Sequence, residues 1–183
     1  DPRMTLEGYE GLFRWLKQEF PTVKLHALGP PEIVFIAHQA HCSTQEVLER
    51  LVAAGLDSLP GAGAEILNER VRKKISPRKA TAAQWVAVMR EAQSMGLLTS
   101  ATMMYGHVET LEERIEHLLL LRDLQAESLR VGRRAFLAFI AWPYQGNGTR
   151  LAKMIDYKPT TGTEHLRLVA LARILLTNIP HIQ

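Results

Sequence analysis

The side chains that could do chemistry gather after short apolar runs. His26 closes one run and is followed by Gly29-Pro30-Pro31-Glu32. Asp57 and Ser58 lead into Pro60-Gly61-Ala62-Gly63-Ala64-Glu65. Thr102, Met104 and Tyr105 end in Gly106-His107-Val108-Glu109, and His181 and Gln183 lie in the last run. A histidine such as His107, just past an apolar segment, can donate, accept or shuttle a proton near neutral pH; its plainer reading is a loop residue with a satisfied hydrogen bond. Gly61-Ala62-Gly63 lets backbone amides approach an anionic or polar group, or simply makes a tight turn. It is not a dinucleotide fingerprint, because Ile66 replaces the third glycine. Glu65 is expected in the first turn of a following helix. There it would complement the helix dipole or accept from ligand hydroxyls or an ammonium group. Met103 and Met104 read as core or pocket-wall fillers, and Tyr105 as a packing aromatic whose hydroxyl finds a partner.

Other candidates are weaker. Cys42 precedes Ser43 at a helix start, which would lower its pKa, but no partner pattern marks a nucleophile. His38 and His41 nearby suggest a metal only loosely, so no metal site is assigned. Asn147-Gly148-Thr149 matches a glycosylation sequon, which carries no weight where no signal peptide is seen. The basic run from Arg70 to Lys79 reads as a solvated helix face, since no aromatic residues interleave with it as a nucleic-acid platform would require.

Elements of alternating type must position these residues. Apolar spacing predicts helices around Leu6–Phe20, Val47–Val52, Trp85–Met95, Leu111–Leu121 and Leu166–Leu175, with a short one over Glu65–Lys74. Ser43 with Glu46, Thr81 with Gln84, Thr110 with Glu113 and Thr161 with Glu164 have capping-box spacing. Between the helices, Lys24–Leu28, Leu56–Leu59, Leu98–Met104, Phe136–Ala141 and Ile179–Ile182 lack strict alternation. They read as strands of a parallel sheet covered on both faces. This α/β rhythm fits a doubly wound sheet or a partial (β/α)8 TIM-type barrel of about five βα units. The barrel is favoured, because a whole one needs roughly 250 residues and this chain has 183. Both architectures place sites at the carboxyl ends of the strands. A partial barrel would also leave sheet edges and inner face open to partners or aggregation.

Composition supports a packed domain, with 46% apolar and 22% charged residues. The formal net charge of +3 is too small to argue for nucleic acid. No apolar run approaches the roughly 18 residues of a membrane span. The single cysteine excludes an internal disulfide framework or a Cys-rich metal site built from this chain alone. It also fits a cytoplasmic setting. Asp1-Pro2-Arg3 is no initiator sequence, and Asn178–Gln183 reads as the opening of a strand, so a fragment cut at both ends is expected.

The motif wording goes further. The stretch Asp57-Ser58-Leu59-Pro60-Gly61-Ala62-Gly63-Ala64-Glu65-Ile66-Leu67 resembles one in the radical S-adenosylmethionine enzymes of the futalosine route to menaquinone. So does Ala101-Thr102-Met103-Met104-Tyr105-Gly106-His107-Val108-Glu109-Thr110, followed by Arg114, His117, Leu118, Leu121, Arg122, Leu124 and Gln125. Leu25–Ile33 and Asn178–Gln183 resemble further family segments in the same order. The wording is most like the cyclic dehypoxanthine futalosine synthases, with aminodeoxyfutalosine synthases and deazaflavin-precursor synthases as relatives. Leu129–Arg134 departs from the Gly-rich Thr/Phe stretch usual before the next strand.

The resemblance implies that residues 1–183 are the central part of one radical S-adenosylmethionine barrel, truncated at both ends. It implies S-adenosylmethionine and a four-iron four-sulfur cluster as cofactors, the cluster's three cysteines lying upstream of Asp1. It implies a 5′-deoxyadenosyl radical that abstracts hydrogen from a small nucleoside-derived substrate, a reductant protein for the cluster, and neither nucleic-acid nor membrane partners. By position, Asp57, Ser58 and Glu65 would hold the cofactor's ribose or methionyl group, and Thr102, Met104 and Tyr105 would lie beside its adenosine. His26, His107 and His181 would face the reacting ring and sugar, with His107 expected to transfer a proton.

Overall fold

The computed structural model describes residues 3–133 and 135–183. Arg134, the last residue of the departing Leu129–Arg134 stretch, and the Asp1-Pro2 terminus fall outside them. In chain order the elements are α1 (Leu6–Glu19), β1 (Leu25–His26), α2 (Pro30–Ala40), α3 (Thr44–Ala53), β2 (Leu56–Leu59), α4 (Glu69–Ile75) and α5 (Ala82–Ser94). There follow β3 (Leu98–Tyr105), α6 (Leu111–Arg130), β4 (Phe136–Pro143), α7 (Arg150–Met154), α8 (Gly162–Leu175) and β5 (His181–Ile182). The strands make one parallel sheet in the order β1-β2-β3-β4-β5. Every strand lies beside its predecessor, with helices in each crossover. A doubly wound sheet reverses its strand order partway; this one does not, so it is an open sector of a TIM-type barrel.

Capping chemistry accounts for the helix starts. Reciprocal boxes form at Thr81–Gln84, Thr110–Glu113 and Thr161–Glu164, and the Ser43 hydroxyl accepts from the Glu46 amide at 3.1 Å. One helix was not expected and one expectation shifts. Pro30-Pro31 opens helix α2, because proline at the first helical positions loses no hydrogen bond there. The short helix over Glu65–Lys74 starts later, where the Asn68 side chain accepts from the Arg70 and Val71 amides. Glu65 is therefore outside the helix, in a left-handed conformation with φ 49°.

One sheet face packs against the helices through Leu59, Ala101, Met103 and Phe139, each fully buried. Burial of the Leu59, Met103 and Phe139 side chains stabilises by about 1.5–3 kcal/mol each. Trp85 of α5 stacks on Phe136 at 6.2 Å between ring centroids. Gln125 of α6 brackets β4: its Oε1 accepts from the Phe136 amide at 2.7 Å, and its Nε2 donates to the Asn178 carbonyl at 2.8 Å. The opposite face was expected to be covered. It is partly open, with Leu137 at 45% and Trp142 at 52% exposure. That open face carries the cleft.

Candidate functional site

A cleft of about 650 Å³ lies at the carboxyl ends of the strands. Its wall takes His26 from β1, Pro60–Gly63 and Glu65 from the loop after β2, Ser100, Thr102 and Met104 from β3, and Ile140 and Trp142 from β4. The Gly61 loop is laid flat on β3. Its amide donates to Ser100 Oγ at 3.0 Å and its carbonyl accepts from Thr102 Oγ1 at 2.7 Å. A methyl group on the Gly61 Cα would stand 2.2 Å from the Ser100 carbonyl oxygen, so only glycine fits. Gly63 has φ 73°, and a Cβ there would meet Pro31 at 2.4 Å. The first glycine thus serves close approach and the second a left-handed turn.

Buried groups behind the loop hold it in place. The Arg72 guanidinium donates to the carbonyls of Ala64 at 2.6 Å and Gly63 at 3.1 Å, and also to that of Ala80. Burial lowers its pKa. The basic run is therefore no uniform solvated face: Arg72 is buried, Arg70 is paired with Glu113, and Lys79 with Glu65. The His117 Nδ1 accepts from the Leu67 amide at 2.9 Å, and its Nε2 lies 3.1 Å from the Thr102 carbonyl. Burial drives its pKa down to about 3, so the ring is neutral, with Nε2–H as donor. Sequence reasoning gave neither residue this role: Arg72 reads as part of a charged run, and His117 acts on backbone fifty residues away.

The residues singled out from sequence separate into groups. His26, Glu65, Thr102 and Met104 line the cleft. Glu65 Oε1 takes Lys79 Nζ at 2.8 Å, and the Glu65 carbonyl accepts from the Met104 amide at 2.9 Å. Ser58 lines a smaller adjoining cavity of about 270 Å³ on the inner face, with its Oγ 2.8 Å from His26 Nδ1. His181 is exposed on the edge strand β5, in register with Ala138 of that cavity.

Asp57 turns instead to the amino-terminal side. It accepts from Lys17, from Lys24 at 3.1 Å and from the Leu25 amide at 2.8 Å. Burial opposes its ionisation, but Lys17, the Leu25 amide and Lys24 hold its carboxyl at about 2. Tyr105 is buried among the helices, its hydroxyl 2.8 Å from His165 Nδ1 and its ring under the Arg114 guanidinium at 4.9 Å.

His107 has a fully buried side chain behind the cleft wall. Its Nε2 is 2.9 Å from the Met104 carbonyl, and its Nδ1 accepts from the Val108 amide at 2.8 Å while lying 2.9 Å from Glu109 Oε2. The Glu109 carboxylate also accepts from the amides of Gly106 at 2.6 Å and His107 at 2.9 Å and from Arg114 Nε at 2.8 Å. Burial opposes its charge, yet the His107 ring and the Gly106 amide hold it at about 2. A Gly-His-x-Glu run closing a strand, with Arg114 five residues on, is the signal that could have revealed this knot. Cys42 also departs from expectation: burial and Glu46 push its thiol up, not down.

The cleft presents both polar and apolar groups. It combines Gly61 cradled against β3, hydroxyls on Ser100 and Thr102, the Glu65 carboxylate, and apolar Met104, Ile140 and Trp142. Among the described residues no group of three His, Cys, Asp or Glu side chains could hold a metal ion, so these residues do not fit an iron–sulfur cluster by themselves. A separate groove of about 500 Å³ between α1, α2 and residues 78–80 contains none of the predicted site residues. No helix among the described residues is long and apolar enough to cross a membrane.

An open barrel sector with a glycine-floored cleft at its strand ends defines an α/β barrel-type domain. Comparison with known proteins makes this specific. The radical SAM superfamily model matches residues 1–121, and the CofH/MqnC C-terminal region model matches residues 133–183. The chain belongs to the radical SAM superfamily, a superfamily of enzymes. It is similar to the aminodeoxyfutalosine synthase of Thermus thermophilus, 43% identical over all of this chain and 48% of that protein. It is also similar to the cyclic dehypoxanthine futalosine synthase of Streptomyces coelicolor, 41% identical over 100% of this chain and 44% of that protein. A third relative is the 5-amino-6-(D-ribitylamino)uracil--L-tyrosine 4-hydroxyphenyl transferase 1 of Methanosarcina acetivorans, 42% identical over 95% of this chain and 46% of that protein. The chain spans about half the length of these relatives.

Proposed function

We propose that this chain is the central, S-adenosylmethionine-binding part of a radical cyclase that converts dehypoxanthine futalosine to its cyclic form in menaquinone biosynthesis. The observation that carries the reading is the Gly61 floor, held against Ser100 and Thr102 at the strand ends of a radical SAM chain. Held in this cleft, S-adenosylmethionine would supply hydrogen-abstracting radical chemistry toward the substrate ribose, with the reducing cluster carried by residues outside this chain.

This chain's residues bind, orient and shield. Glu65 and the backbone of Gly61–Gly63 hold the ribose or methionyl arm. Ser100, Thr102 and Met104 take the adenosine. Ile140 and Trp142 wall off water, which a reactive carbon centre requires. His26 and His181 reach the substrate from the inner face, while His107 acts from behind the wall through the Met104 carbonyl. The cluster's cysteines and its electron-donor protein lie outside these 183 residues, and we place the reaction in the cytoplasm.

The 43% identity to an aminodeoxyfutalosine synthase favours a second reading, in which the adenosyl group is joined to the substrate. Product analysis separates the two. The enzyme carrying this sequence in its complete reading frame is reduced anaerobically and given S-adenosylmethionine with each substrate. Release of 5′-deoxyadenosine together with cyclic product supports the cyclase. A product that retains the adenosyl group supports the synthase and overturns the first reading.

A further inference from the structure

His26 lines both the strand-end cleft and the smaller inner-face cavity. Register sets it beside Ser58, and the pairing is direct, with Nδ1 and Oγ 2.8 Å apart. Among the described residues, His26 Nδ1 is the partner the Ser58 hydroxyl has, and Nε2 has none. Burial lowers the His26 pKa, which favours a neutral ring. A neutral imidazole carries one proton, and the hydrogen bond at one nitrogen decides which nitrogen holds it. If the hydroxyl donates to Nδ1, the proton must sit on Nε2.

We propose that Ser58 is a positioning residue that fixes His26 as the Nε2–H tautomer, so that His26 donates from the inner face of the sheet to an acceptor atom of the nucleoside-derived substrate. The acceptor is a ring nitrogen, a carbonyl or a sugar oxygen. This assignment moves Ser58 from cofactor contact to control of a neighbouring imidazole, and it rests on the proposed substrate class.

The test uses the enzyme carrying this sequence in its complete reading frame, with nitrogen-15 in its histidines, read by long-range proton–nitrogen correlation at a pH where His26 is neutral. The native chain and Ser58→Thr should show Nε2 protonated and an Nδ1 signal displaced by an accepted hydrogen bond; Ser58→Ala should lose that displacement. A protonated Nδ1 in the native chain, or an unchanged spectrum in Ser58→Ala, overturns the proposal. Dehypoxanthine futalosine is the binding probe. Ser58→Ala should weaken its binding about three- to tenfold, the worth of one hydrogen bond, and Ser58→Thr should restore it. Equal affinity in the native chain and Ser58→Ala overturns the assignment. If the native chain does not bind dehypoxanthine futalosine while the nitrogen signature is intact, the substrate reading fails and the Ser58–His26 pairing stands.

Discussion

Gly61 and Ser100 meet twice: the Gly61 amide donates to Ser100 Oγ at 3.0 Å, and the Gly61 Cα lies so close that a Cβ would stand 2.2 Å from the Ser100 carbonyl oxygen. The loop after β2 is thereby pressed onto β3, and the cleft floor is backbone rather than side chain.

Gly61→Ala should destabilise the chain by about 1–3 kcal/mol, because the methyl group meets rigid backbone. Gly11→Ala, in α1 with open space around it, should instead be neutral or stabilising by up to about 1 kcal/mol. Urea denaturation of both variants checks the contrast.

His117 should govern stability in mildly acidic solution. Its folded pKa of about 3 lies below its ordinary value of 6.5, so the unfolded chain binds a proton that the native state refuses. Stability is fully present above about pH 6.5 and falls toward pH 3, at up to about 1.4 kcal/mol per pH unit. His26, lowered in the same direction by burial, adds a smaller part. His117→Ala should cost about 2–4 kcal/mol at pH 7 and remove most of this slope. Denaturation curves between pH 4.5 and 7 decide it.

Glu109 should steepen the more acidic limb below about pH 4.5. Its folded value of about 2 lies below its ordinary 4.5, so its contribution is present above about pH 4.5 and is lost as pH falls toward 2. Asp57 adds to the same limb. Glu109→Gln should cost about 3–5 kcal/mol at pH 7, because Arg114 loses its buried carboxylate. Its stability should then vary little between pH 4.5 and 3 beyond the slopes left by Asp57 and His117. Thermal melts at both pH values test this.

Arg72→Met should cost about 2–4 kcal/mol by leaving the Ala64, Gly63 and Ala80 carbonyls without their donor. Arg72→Lys should rescue little, since an ammonium group cannot reproduce the guanidinium fork. Protection of the Gly61–Glu65 amides against hydrogen exchange should fall in both variants.

Much of this architecture was legible in the residues. Hydroxyl-to-Glu or Gln spacing marked the starts of α3, α5, α6 and α8 because capping is local chemistry. Apolar runs marked all five strands. Helix α2 was missed because Pro30-Pro31 reads as a loop until Gly29 is seen as its cap. Glu65 was put in a helix because nothing local shows that Asn68 caps better. At the cleft, strand-end placement brought out His26, Glu65, Thr102 and Met104. It could not show that Asp57 turns to Lys17, or that the Val108 amide and the Met104 carbonyl occupy both nitrogens of His107. Such side-chain directions depend on contacts across the fold, like that of His117 with Leu67, fifty residues away.

The central claim is that the Gly61-floored cleft takes the cofactor. It is tested most directly by titrating S-adenosylmethionine into the isotope-labelled enzyme carrying this sequence in its complete reading frame and following the backbone amide shifts of the residues in this sequence. Saturable shifts should concentrate at Gly61, Gly63, Ser100, Thr102 and Met104 and vanish in Gly61→Val. Shifts confined to the groove around Tyr9 and Phe35, or a response that survives Gly61→Val unchanged, would contradict it.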